Sequence, residues 1–86
     1  MPEISRFFGI VIHMYYREHG RPHFHAVYGE HKVVIDIATG EATYGEIPLR
    51  ALRLVKEWYA LHKLELADNA LRASRREPLR KIDPLL

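Results

Sequence analysis

Residues 23–37, HFHAVYGEHKVVIDI, decide the fold. Two runs rich in β-branched and aromatic residues, 23–28 and 32–37, flank a turn at 29–31, which is the pattern of a tight antiparallel hairpin. Side chains alternate along a strand, so His23, His25 and Val27 point one way and Phe24, Ala26 and Tyr28 the other. Pairing Tyr28 with Val33 sets Ala26 against Ile35 and Phe24 against Ile37, an apolar face for a helix layer to cover. In that register His25 lies opposite Asp36, with His23 beside it on the face away from the helices. A slip of one residue would bury both histidines, so the core specifies the register.

Upstream, residues 9–16 (GIVIHMYY) read as a strand that ends at the polar loop 17–22, REHGRP. Antiparallel pairing across this loop sets Tyr16 near His23 and Met14 near His25, and turns His13 toward the helices. Arg17 and Arg21 then stand at the mouth of the histidine face, with His19 at its edge. Downstream, 41–46 form a short fourth strand after Thr39 and Gly40, weakened by Gly45.

The period changes at Pro48, a favourable first helical residue, and no Gly or Pro recurs until Pro78. Leu52, Val55, Tyr59 and His62 recur at helical spacing and Leu66, Ala70 and Ala73 continue the stripe, as one long helix or two bent near His62. Pro78 and Pro84 mark an extended tail whose Leu79, Ile82, Leu85 and Leu86 dock on the sheet or on another chain, the second case giving a homodimer. The expected fold is α+β: a three- to four-stranded antiparallel meander, then one long or two bent C-terminal helices packed on one face.

Length and composition exclude several classes. With 86 residues, 48% of them hydrophobic, the chain makes one domain over 1–86 with a thin stability margin. It has no cysteine, which removes disulfide scaffolds, Cys-ligated zinc and thiol nucleophiles. The apolar run 7–12 is broken by His13, far short of the roughly 20 residues of a membrane helix. No basic leader precedes it, so the expected location is cytoplasmic. The net charge is +2, and residues 72–86 hold five cations (Arg72, Arg75, Arg76, Arg80, Lys81) against Glu77 and Asp83. That end permits binding to nucleic acid or to an acidic partner protein, although a solvated helix end is the commoner explanation.

Of the six histidines, only His23 and His25 have a spacing that demands a common face. Two imidazoles near an acid suit general acid and base chemistry, because histidine titrates near neutral pH and a carboxylate fixes its tautomer. His23, His25 and Asp36 are thus the candidate catalytic set, and Arg17, Arg21 and Tyr16 the candidate substrate-binding set. RNA cleavage needs little more, since the attacking 2′-hydroxyl belongs to the substrate. The alternative use of the same His23, His25 and Asp36 is a divalent transition metal, held by two imidazoles and one carboxylate, a weaker pattern than a four-ligand motif. A third reading makes them structural, with His25 and Asp36 a cross-strand pair, in a non-enzymatic module that binds protein or nucleic acid. Trp58 and His62 read as packed residues and His31 as solvent-facing. Pro2 as an N-terminal base has no supporting motif.

Four motifs carry a family resemblance: the start MPEISRFFGIVIHMYY, the PHFHA of 22–26, the VIDI of 34–37 and the LRALRLVKEW of 49–58. Together with the closing PLRKIDPL of 78–85, they resemble the small bacterial family called domain of unknown function 4160. The resemblance implies one half of a two-gene, toxin–antitoxin-like module, with a small partner protein encoded by the neighbouring gene. It carries over His23 and His25 as motif members, while their role comes from the strand geometry. Residues 67–70 lack an aromatic expected in the family's second helix.

Overall fold

A computed structural model describes residues 3–16 and 20–86. Five strands, β1 (Glu3–Phe7), β2 (Ile10–His13), β3 (His23–Tyr28), β4 (His31–Asp36) and β5 (Ala42–Glu46), form an antiparallel sheet in chain order. Helices α1 (Leu49–Leu61) and α2 (Lys63–Ser74) follow. The α+β meander is as expected, but with five strands rather than three or four. The added strand is β1, joined to β2 by a turn in which Phe8 and Gly9 both have positive φ (49° and 78°). Tight hairpins favour this backbone at Asn-Gly or Gly-Gly, so Phe-Gly gives little warning of it.

The hairpin β3–β4 turns on Gly29 and Glu30 alone, with Gly29 at φ 60°. Tyr28 pairs with His31, Ala26 with Val33 and Phe24 with Ile35. This corrects the expected Tyr28–Val33 register by two residues: the shorter loop matches the twist of the flanking strands. Faces survive a two-residue shift, but neighbours do not. His23, not His25, lies opposite Asp36, and His25 lies opposite Val34.

Between β2 and β3 the correction is one residue and swaps faces. His13 pairs with His25, and Ile12 with Ala26. Ile10, Ile12 and Met14 are buried in the core, while His13 points away from the helices beside His25. The alternative would desolvate an imidazole and expose three large apolar side chains. In β5, a Cβ on Gly45 (φ 75°) would run into the backbone carbonyl of Lys32, so the glycine lets two strands meet.

The helices cover one sheet face. Trp58 is fully buried, its ring 5.4 Å from Phe7 and 5.8 Å from Phe24 between centroids. Its Nε1–H donates to the Asp83 carbonyl at 2.8 Å. The Tyr59 hydroxyl donates to the Ile37 carbonyl at 2.6 Å. The helical run breaks at His62 (φ −125°, ψ 26°), giving two helices. His62 packs 5.5 Å from the Trp58 ring, and His31 is exposed, both as expected. The tail docks on its own chain: the Ile82 N–H donates to the Ile4 carbonyl on β1 at 2.8 Å, and Ile82 and Leu85 are buried. Buried Asn69 clamps the Arg80 backbone with two hydrogen bonds, 2.8 and 2.9 Å. Among the described residues, no helix is long and apolar enough to cross a membrane.

Candidate functional site

The face of the sheet away from the helices gathers His13 from β2, His23 and His25 from β3 and Asp36 from β4. Tyr15, just past β2, joins them. The His23 and His25 rings lie 5.2 Å apart, Tyr15 meets His25 edge-on at 4.6 Å, and His13 and Tyr15 are 6.1 Å apart. Tyr16, expected near His23, is instead exposed, because the one-residue register puts Tyr15 on this face. Of the other expected residues, Arg17 and His19 lie outside the described residues.

Asp36 takes a different role from the expected one. One carboxylate oxygen accepts the Arg21 Nε–H at 2.6 Å, and the other accepts the N–H groups of Ala38 at 2.8 Å and Thr39 at 3.2 Å. Burial pushes this carboxyl up, but the Arg21 bond and the two backbone N–H groups outweigh it and hold it below the ordinary carboxylate range. The aspartate closes the turn at 37–39 and pins Arg21, rather than orienting His25. Among the described residues, no three His, Asp or Glu side chains converge as a metal-ligand set.

His23 is fixed differently. Its Nδ1 lies 2.8 Å from the Arg21 carbonyl. A carbonyl only accepts, so Nδ1 carries the proton and Nε2 holds the lone pair in the neutral ring. This tautomer is the one a general base at Nε2 requires. His13 has a buried Nδ1 with no hydrogen-bond partner among the described residues. Burial lowers its pKa, against an opposing pull from the Glu3 carboxylate.

Beside these rings opens a cleft of about 530 Å³, between residues 20–22 and the C-terminal end of α2. Tyr15, Arg21, His23, Ser74 and Arg76 supply its polar lining. In the sequence Arg76 belongs only to the basic C-terminal end, 72–86, with nothing to bring it to the histidines, and the expected register turns Tyr16 rather than Tyr15 to this face. The signal for Arg76 was the cation excess of 72–86, which gives no position.

The cleft thus combines an imidazole of defined tautomer, a phenol and two guanidinium groups, a set able to hold an anion and move a proton beside it. The family model described as Domain of unknown function (DUF4160) matches residues 9–69. This chain belongs to that family. No curated protein and no solved structure matches it. The DUF4160 span includes Tyr15, Arg21, His23, His25 and Asp36, whereas β1 and the Arg76 wall of the cleft lie beyond it.

Proposed function

We propose that this DUF4160 protein is the RNA-acting half of a toxin–antitoxin-like two-gene module, cleaving single-stranded RNA in the cleft under control of a small protein from the neighbouring gene. The observation that carries the reading is His23, held by the Arg21 carbonyl as the Nδ1–H tautomer on the wall of a cleft that also bears two arginines. His23 Nε2 takes the proton of the substrate 2′-hydroxyl as its oxygen attacks phosphorus. The 5′-oxygen leaves with a proton delivered by the Tyr15 hydroxyl, giving a 2′,3′-cyclic phosphate and a 5′-hydroxyl end. Arg21, held in place by Asp36, offsets the charge that builds on the non-bridging oxygens. His25, ring to ring with His23, positions it.

The test is expression and cleavage together. Wild type is expected to arrest growth, and the purified protein to cut an oligoribonucleotide but not the same sequence as DNA. His23→Gln is expected to cut at least about 100-fold more slowly with an unchanged Tm. Co-expression of the neighbouring gene restores growth, and its product copurifies. Normal growth together with intact RNA overturns the reading. RNA bound equally by wild type and His23→Gln, without product, replaces cleavage by binding alone.

A further inference from the structure

Helix α2 ends in a motif that ordinarily calls for glycine. The Glu77 N–H donates to the Arg72 carbonyl at 2.9 Å and the Arg76 N–H to the Ala73 carbonyl at 3.2 Å, a Schellman pair. The residue between helix and tail in this motif takes a left-handed backbone, and here it is Arg76 at φ 58°. An L side chain is strained there because its Cβ crowds the following carbonyl oxygen. Arg6, Arg21 and Arg72 are each held by a carboxylate, of Glu3, Asp36 and Asp68. Arg76 has no such partner among the described residues, and it is exposed. Among the described residues, no ion pair of its guanidinium offsets the strain. What it does have is a place on the cleft wall with Arg21 and His23.

We propose that Arg76 is a phosphate-binding residue of the cleft, kept at a glycine position for its ligand and not for the helix cap. Two guanidinium groups suit the non-bridging oxygens of one phosphate, and Arg21 is already fixed by Asp36. That the phosphate belongs to RNA rests on the function proposed above; the phosphate contact itself does not.

The experiment compares wild type with Arg76→Gly and Arg76→Lys by thermal melting and by NMR titration with inorganic phosphate. Arg76→Gly is expected to raise Tm by roughly 4 °C or more, since the strain goes, while weakening phosphate binding at least about tenfold. Arg76→Lys keeps the strained backbone and the charge but not the fork, so wild-type Tm and an intermediate affinity are expected. Wild-type phosphate affinity in Arg76→Gly, or a Tm that does not rise, overturns the proposal. Arg76-dependent phosphate binding without any RNA cleavage upholds it and removes the RNA reading. RNA cleavage at an unchanged rate in Arg76→Gly does the reverse.

Discussion

Phe24 and His23 are chain neighbours on β3, yet they answer to different constraints because they face opposite sides of one sheet. Phe24, Ala26, Val33 and Ile35 line the covered face and are essentially inaccessible. His23, His25 and Asp36 line the other face, where what a residue touches is set by hydrogen bonds and ring contacts. On the covered face any large apolar side chain of suitable shape will serve. On the other, exchanging one neighbour for another changes the chemistry. The covered face keeps its apolar pattern through a two-residue shift of register, and the histidine face does not keep its neighbours.

The largest expected effect lies on the covered side. Trp58→Ala removes a ring packed against Phe7 and Phe24 and leaves the Asp83 carbonyl without its donor. The expected loss is about 3–5 kcal/mol, enough to unfold much of a domain this small, and urea denaturation measures it. Gly45→Ala should come next, at about 2 kcal/mol or more, because the new Cβ meets the Lys32 backbone and the φ of 75° is costly for alanine. A Gly45→Ala protein as stable as wild type would show that β5 does not pair closely with β4. Neither change touches a residue of the cleft, so both separate stability from site chemistry.

How much was legible follows from the same contrast. Alternation on residues 23–28 and 32–37 yields the covered face, the helical stripe yields α1 and α2, and Trp58 is buried as expected. Parity along β3 and β4 survives a two-residue error, so His23, His25 and Asp36 were placed on the correct face. Their partners were not, since those depend on loop length. Gly29–Glu30 closes more tightly than a three-residue turn, which moves Asp36 from His25 to His23, and Arg21 then takes the carboxylate. Between β2 and β3 parity itself is lost, exchanging Tyr16 for Tyr15 and turning His13 outward. Nothing local in the chain places Arg76 across the cleft, because that contact depends on how α2 settles on the sheet. Phe8 defeats a turn reading for the reason Arg76 does: both hold left-handed backbone without being glycine.

Acid should then act on the histidine face. Asp36 is held below its ordinary range, so its contribution is present above the unfolded carboxyl value of roughly 3.9 and is lost as pH falls through the lower folded value. Asp36→Asn keeps an oxygen for the turn N–H groups but loses the attraction to Arg21, whose exposed guanidinium is screened by solvent. The variant is expected to melt slightly below wild type at pH 7, with a shallower fall in Tm below about pH 4. Equal slopes would mean that Arg21 is not pinned by Asp36, and the cleft would lose its fixed guanidinium.

His13 gives the smallest and most discriminating effect. Burial depresses its folded pKa; Glu3 across the β1–β2 ladder offsets part of this, while Lys32 and Arg6 add to the depression. The neutral ring is favoured in the folded state, so its contribution is intact above the unfolded value of roughly 6.5 and declines as pH falls below that. His13→Gln should therefore match wild type near pH 8 and lose less stability than wild type between pH 7 and 5, read as the difference in Tm slope. The ring is only half-buried, which keeps the difference small. Its sign still tests the register. With His13 turned toward the helices, glutamine would occupy the core and destabilise the protein at every pH. With His13 beside His25, destabilisation at pH 8 is slight and only the slope changes. A large pH-independent loss would return His13 to the covered face and, with it, remove Tyr15 from the cleft.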